Sequence, residues 1–381
     1  MPTQLAGVIE KENFERSKSY NLDKFKFGFV TGLWGQLLTT GIIAFNIIPI
    51  LWNLSGRVIH SVGLEQGEVT QTLAFVLLGS FASEWLSLPF SIYSNFVIEE
   101  RHGFNKYTPS FYAIDKIKKF AVSQGIMLPI VTAVIHIIRA GGQFFFFYLW
   151  IFMFFVTIVL ITIYPDFIAP LFDKFTPLPE GDLRTKIEEL AASIDFPLKK
   201  LFVVEGSKRS THSNAYFFGF YKNKRIVLFD TLIEGYVSPD AAAKEMVASG
   251  EEEAGNRKKG CTTDEVVAVL AHELGHWQCN HIMKNLLISE VNLFCCLGVF
   301  GLLFKNDTIY AAFGFPLQRP VFIGLIIIFQ YIFSPYNEVS GFLMTCLSRR
   351  FEFQGKTVST SKLLTDLFLF IRLQLTPLPR S

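Results

Sequence analysis

Long runs of apolar residues alternate with shorter polar stretches along most of the chain. A helix crosses a bilayer with roughly 20 apolar residues, and each run comes close to that length. The pattern predicts six spans, over residues 27–52, 71–98, 121–138, 144–171, 286–304 and 321–347. Glu84 lies inside the second span. A carboxylate at that depth is by default either a functional residue or one that faces a water-filled interior.

The segment between the fourth and fifth spans, residues 172–285, has a different pattern. Its apolar positions predict a helix over Asp182–Ile194, and short runs rich in Val, Ile, Leu and Phe predict strands at Leu201–Glu205 and Arg225–Asp230. Residues 234–260 are charged and Ala-rich, which is typical of a flexible loop. We therefore expect membrane regions at 1–171 and 286–354, a soluble α+β domain at 172–285 and a separate tail at 355–381.

One helix is predicted over Thr262–His281. Thr262 is followed three residues later by Glu265, the pattern of a capping box, and an apolar run follows. The centre of this helix carries His272-Glu273-Leu274-Gly275-His276, the HExxH pattern of zinc peptidases. The pattern therefore lies in a helical context, where its spacing has chemical meaning.

The HExxH spacing suits a catalytic metal. Residues four apart share one face of a helix, so the imidazoles of His272 and His276 can bind the same Zn²⁺. Glu273 points about 100° away, which suits a general base that takes a proton from attacking water better than a third ligand. From the residues alone, the third ligand stays open between Glu338 and Glu352, both near the end of the last span.

Composition supports a membrane protein. Half of the 381 residues are hydrophobic, 18% are charged and the mean hydropathy is +0.36, too apolar for a soluble enzyme of this size. A formal net charge of +2 gives no support for nucleic-acid binding. The five cysteines are scattered and predict neither a disulfide framework nor a CxxC metal site.

Basic residues collect in alternate loops, which predicts an orientation. Lys and Arg are frequent before the first span, between the second and third, and after the sixth, and they are sparse in the other interhelical loops. Because such residues favour the cytoplasmic side, these three regions and residues 172–285 are expected on the cytosolic face.

Five stretches resemble the Ste24 family of CaaX prenyl proteases, which are integral-membrane zinc metallopeptidases. They are Phe96–Asn105, Pro170–Phe175, His212–Tyr216, the HExxH helix with Asn280 and His281, and Ser348–Gln354. The resemblance covers residues 1–354, and agreement over so many stretches is more specific than HExxH alone.

The resemblance implies an α-helical multi-pass membrane protein with a gluzincin-like α+β cytosolic metallopeptidase domain, located in the endoplasmic reticulum membrane. It implies one Zn²⁺ per chain with Glu352 as the third ligand. The expected function is removal of the C-terminal tripeptide from prenylated CaaX proteins, with Glu273 as the general base. A membrane quality-control zinc protease and a catalytically impaired isoform are the alternatives.

Further site residues are implied by the same resemblance. Asn214 and Tyr216 would bind an extended substrate through backbone hydrogen bonds, and Asn280 and His281 would line the active site or support a zinc ligand. From the residues alone, Asn214 and Tyr216 also fit a turn with packing residues, and Asn280 and His281 a polar helix end.

The chain departs from the family pattern at both ends. Family members usually have a further membrane helix before the region that matches residues 6–9, so we expect a shortened N-terminus. After Gln354 the family continues with Ala-Asp, whereas this chain has Gly355 and Lys356. Glycine disfavours helix, so we expect the helix to weaken just after Glu352.

Overall fold

The computed structural model describes residues 10–219, 223–237 and 260–375, with side chains described up to residue 357. The helices are α1 (Lys11–Ala44), α2 (Ile47–Ser61), α3 (Glu68–Tyr93), α4 (Pro109–Ala140), α5 (Phe145–Ile163), α6 (Asp182–Ser193), α7 (Thr263–Gln278), α8 (His281–Leu303), α9 (Asp307–Ala312), α10 (Val321–Ile326) and α11 (Ser334–Leu375). The strands are β1 (Phe175–Pro177), β2 (Leu198–Val204), β3 (Ala215–Phe218) and β4 (Lys224–Phe229). The chain divides into two compact units. The first comprises Met1–Phe152 and Phe294–Ser334, and the second comprises Met153–Leu293 and Pro335–Ser381.

Several helices are long and apolar enough to cross a membrane. In the described part of the chain these are Lys11–Ala44, Glu68–Glu99, Pro109–Ala140, Gly142–Leu171 and His281–Leu303, and the bent pair Val321–Ile332 with Ser334–Thr357 counts as a sixth. Large apolar side chains such as Phe25 and Phe29 are exposed on α1, as expected of residues that face lipid. The prediction of an α-helical multi-pass membrane protein is confirmed.

The bounds predicted for the first span, 27–52, are wrong. Helix α1 ends at Ala44, and α2 begins at Ile47 after Asn46, whose φ of 52° is left-handed. Asn tolerates this conformation better than most residues. The apolar pattern continues across the break because Ile48 and Trp52 of α2 pack into a buried cluster with Phe75, so hydropathy alone cannot locate the turn.

Glu84, the carboxylate within the second span, has a polar environment in the first unit. Its Oε2 lies 3.2 Å from Lys116 Nζ on α4. The same side chain lines a cavity of about 520 Å³ together with Ser80, Ser83 and Lys119. The structure therefore places this carboxylate beside a cation and a polar cavity, as expected for a residue that faces a hydrated interior.

The second unit contains a four-stranded mixed sheet in the order β1-β2-β4-β3. Strand β2 pairs parallel with β4, and β1 and β3 pair antiparallel at the two edges. The predicted helix over Asp182–Ile194 and both predicted strands are present with bounds shifted by a few residues. The soluble part of the prediction, an α+β fold, is thus confirmed.

Helix α7 packs on this sheet through one apolar face. Val266, Leu270 and Leu274 are at most 1% exposed and join a core that includes Ile187 of α6 and Ile226 of β4. This spacing of four residues places the core contacts on one stripe of the helix. The predicted loop over 234–260 lies mostly outside the described residues.

Candidate metal centre

Helix α7 begins as the sequence predicts but ends earlier. The backbone N–H of Thr262 donates to Glu265 Oε2 at 2.8 Å, which completes the capping box. The helix ends at Gln278 rather than continuing to His281, so the prediction of one helix over Thr262–His281 is wrong. Asn280 has a φ of 55°, and α8 starts at His281. A left-handed residue terminates an α-helix because the next N–H no longer points along its axis.

Three side chains converge on one point. His272 Nε2 lies 3.3 Å from His276 Nε2 and 3.2 Å from Glu352 Oε2, and His276 Nε2 lies 3.7 Å from Glu352 Oε1. The two histidines come from α7, and the glutamate comes from α11, 80 residues further along the chain. Among the described residues, this is the group of His, Cys, Asp or Glu side chains whose spacing suits a metal.

The spacing suits zinc in particular. Ligand atoms at 2.0–2.1 Å from a tetrahedral centre are about 3.3–3.4 Å apart, close to the distance between the two Nε2 atoms. Two imidazoles and one carboxylate are also a ligand set typical of catalytic zinc, because three protein ligands leave one position open. The residues present therefore fit a single zinc ion.

His281 supports His276 through a chain of hydrogen bonds. Its Nδ1 lies 2.9 Å from His276 Nδ1, and its Nε2 lies 3.0 Å from Gln354 Oε1. If His276 binds metal through Nε2, its Nδ1–H donates to His281, whose Nε2–H then donates to Gln354. His281 is only 3% exposed. The contact places His281 beside a predicted ligand, its supporting role stays a prediction, and Gln354 is a further contact that the sequence did not single out.

Helix α11 approaches α7 through contacts that the sequence did not predict. Phe351 stacks on His281 with ring centroids 4.1 Å apart. A Cβ at Gly355 would lie 3.1 Å from His276 Nε2, and one at Gly275 would lie 2.9 Å from the carbonyl oxygen of Gly355. Two glycines thus let the helix backbones meet beside the metal ligands.

The expected weakening of the helix at Gly355 is wrong, since α11 continues to Leu375. A glycine inside a helix costs about 1 kcal/mol relative to alanine, too little to end a helix that packs on a neighbour. Helix propensity alone predicts only that Gly355 weakens the helix. Its position three residues after Glu352, on a neighbouring part of the helix surface, was the available signal for a close approach.

Burial alters the titration of two site residues. Burial raises the pKa of Glu273; the carboxylate of Glu352 raises it further, and His272 lowers it. A carboxylate with a raised pKa is a stronger base, which suits proton abstraction near neutral pH. Burial lowers the pKa of His276 from its ordinary 6.5, against the opposing influence of Glu352. His276 therefore stays neutral, as a metal ligand must, to a lower pH.

The remaining predicted site residues lie on β3 and at the helix junction. Asn214 immediately precedes β3, and Tyr216 lies within it and packs on Phe218 and Phe229. Among the described strands β3 pairs only with β4, so its outer edge has no strand partner. Asn280 forms the turn between α7 and α8, and no side-chain hydrogen bond joins it to the cluster in the described residues. The structure therefore brings together His272, His276, Glu352 and His281.

Comparisons with known proteins decide the family. Residues 1–174 match the model of the CAAX prenyl protease N-terminal region with five membrane helices, and residues 177–364 match that of peptidase family M48. The CAAX prenyl protease 1 homolog of Homo sapiens is 52% identical over 368 residues, which cover 93% of this chain and 78% of the relative. The chain belongs to peptidase family M48.

Other M48 relatives extend this likeness. CAAX prenyl protease 1 of Saccharomyces cerevisiae is 35% identical, covering 93% of this chain and 77% of the relative. The crystal structure of S. mikatae Ste24p matches with a TM-score of 0.82 and 33% identity, covering 95% of this chain and 81% of that one. M48 is a family of zinc metallopeptidases. The protein is accordingly a multi-pass membrane metalloprotease, and the predicted family and enzyme class are confirmed.

Proposed function

We propose that this enzyme is a zinc-dependent endopeptidase that removes the C-terminal tripeptide from prenylated CaaX proteins. The observation that carries the proposal is the convergence of His272, His276 and Glu352 at zinc-ligand spacing in a chain 52% identical to a human CAAX prenyl protease 1 homolog. One Zn²⁺ per chain would be held by these three side chains. Bound zinc would polarise the scissile carbonyl and stabilise the charge that develops on its oxygen.

The residues around this centre have separate tasks. Glu273, with its pKa raised by burial, takes the proton of the attacking water and returns it to the leaving amine. His281 and Gln354 fix the orientation of the His276 ring, so that its Nε2 lone pair points toward Glu352 and His272. The site thus combines a general base, Glu273, with a metal ligand, His276, whose ring is held in one tautomer.

The substrate would bind along β3. The outer edge of β3 offers backbone N–H and C=O groups to an extended peptide, and such backbone pairing tolerates varied side chains. β3 also packs against α7, the helix that carries both histidines. Asn214 and Tyr216 would hold the peptide at the start of this strand.

The location follows from the substrate class. A prenyl group must stay in apolar surroundings while the peptide beside it reaches the catalytic residues, which a multi-pass membrane enzyme allows. The concentration of Lys and Arg in alternate loops supports a cytosolic peptidase domain. The endoplasmic reticulum membrane is the proposed location, as the family resemblance implies.

The test uses the full chain reconstituted in vesicles with a farnesylated peptide that ends in a CaaX sequence. Mass spectrometry should show loss of the last three residues, dependent on added zinc, and no cleavage of the same peptide without its prenyl group. Glu273→Gln should retain zinc and lower the rate by about 10²–10⁴-fold, whereas the exposed control Glu189→Gln should not. Cleavage of unprenylated membrane proteins but not of the CaaX peptide would instead favour a quality-control protease.

A further inference from the structure

A groove in the second unit is lined by cations that the catalytic chemistry does not use. It has a volume of about 710 Å³, and it is lined by Cys279, by Lys284 of α8, and by Cys346, Arg349, Arg350, Phe353, Gln354 and Thr357 of α11. No acidic side chain lines it. Within the described part of the chain, none of the three cations forms an ion pair or a hydrogen bond. Three exposed positive charges without counter-ions therefore face one concave surface.

The groove borders the metal-binding face of α11 at Gln354, whose Oε1 lies 3.0 Å from His281 Nε2. Its lining residues on this helix follow a spacing of three and four, so they share one face. Gly355, where a Cβ would lie 3.1 Å from His276 Nε2 and 3.3 Å from His272 Cε1, lies about 200° around the helix axis from Phe353. Most of the groove therefore lies on a face of α11 other than the one that meets the two histidines.

The position of the cations relates the groove to the membrane. Lys284 lies in the first turn of α8, which is long and apolar enough to cross a bilayer. Arg349 and Arg350 directly follow the apolar stretch 341–348 of the α11 segment that forms part of the sixth candidate span. Basic residues at the ends of adjacent spans lie at the depth of lipid headgroups. Cys346 and Phe353 add apolar lining suited to the glycerol and upper acyl region.

We propose that this groove binds the phosphate headgroup of an anionic phospholipid from the surrounding bilayer. Arginine pairs with phosphate through two parallel N–H···O bonds, so Arg349 and Arg350 can hold the phosphate oxygens while Lys284 adds a third charge. The bound lipid would brace α11 against α8.

The test compares lipid binding by variants of the purified full chain in detergent, using native mass spectrometry. The probes are palmitoyl-oleoyl phosphatidic acid and phosphatidylcholine with the same acyl chains. The wild-type chain should retain phosphatidic acid preferentially, and Lys284→Gln/Arg349→Gln/Arg350→Gln should weaken that binding at least about tenfold. The matched control Lys106→Gln/Lys199→Gln/Lys200→Gln removes three exposed charges elsewhere and should leave binding unchanged. Equal binding by the two triple variants would overturn the proposal.

Two further measurements separate the sources of the anion. Displacement of the lipid by inorganic phosphate at equal concentration would assign the groove to a free anion and contradict a lipid site. A raised KM for a prenylated peptide with a free carboxylate, but not for its C-terminal amide, together with unchanged lipid binding, would assign the groove to substrate. If the triple variant does not purify with zinc, the single variants Lys284→Gln and Arg350→Gln decide the same question. Each is expected to weaken binding of phosphatidic acid about threefold.

Discussion

The two helices that supply the metal ligands differ in how they are held. Helix α7 is fixed from behind, because Val266, Leu270 and Leu274 pack in the core of the α+β fold. Around Glu352, α11 is largely exposed, and the glutamate side chain itself is 52% exposed. Its described contacts with the site are few: Phe351 on His281, Gln354 on His281, and Gly355 on Gly275.

The difference indicates that the ligands of one metal centre are positioned in two different ways. The histidines are pre-positioned by burial, which is strong and non-directional. The glutamate is positioned by a small set of specific contacts, of which His281 makes two. We therefore expect α7 to determine whether the peptidase fold exists and α11 to determine how tightly it holds metal.

The largest effect should come from the core behind α7. Leu270→Ala removes a fully buried side chain and should lower the free energy of unfolding of the peptidase domain by about 2–5 kcal/mol. Phe353→Ala, on the exposed side of α11, should change it by less than about 0.5 kcal/mol. Denaturant unfolding of both variants in detergent measures this contrast. Comparable losses would mean that α11 is as deeply packed as α7.

A smaller effect is expected where the two helices meet. His281→Ala removes the partner of His276 Nδ1 and the stacking surface of Phe351, and should weaken zinc binding by about 10–100-fold with the fold intact. Competition with a zinc-sensitive dye measures the affinity. Ile282→Ala, an exposed neighbour in the same turn, is the control. Unchanged affinity in His281→Ala would show that α11 positions Glu352 without this contact.

The smallest expected effect is the competition between protonation and metal binding at His276. Because burial lowers the pKa of His276, protonation should compete with metal at this residue only as pH falls below its ordinary 6.5, and metal binding through it should be unaffected above that value. NMR of zinc-free protein labelled at histidine, with His276 assigned from His276→Gln, gives the titration midpoint directly. A midpoint above 6.5 would mean that the Glu352 carboxylate outweighs burial.

Local features of α7 could be predicted from the sequence because their causes lie within one helical turn. Thr262 and Glu265 are three residues apart, and His272 and His276 are four apart, so spacing alone fixes their contacts. The end of the helix could not be predicted in this way. Asn280 tolerates a left-handed φ, but nothing adjacent to it requires one, so the sequence pattern alone extends the helix to His281.

Features of α11 depend on contacts between residues distant in the chain. Spacing could not choose between Glu338 and Glu352, since the partner histidines lie some 80 residues away, and only the resemblance favoured Glu352. Propensity predicts that Gly355 weakens α11, whereas in the structure Gly355 lets α11 approach α7 closely. A helix propensity describes an isolated helix, whereas this glycine lies where two backbones touch.

That crossing changes how sequence variants of this protein should be interpreted. In HExxH the two middle positions are conventionally free, yet here Leu274 is 1% exposed in the core and a Cβ at Gly275 would meet the Gly355 backbone at 2.9 Å. A missense change at Gly275 would leave every ligand and the pattern intact while forcing the two helices apart. Position 275 is therefore a site where a substitution is expected to weaken metal binding even though it changes no ligand.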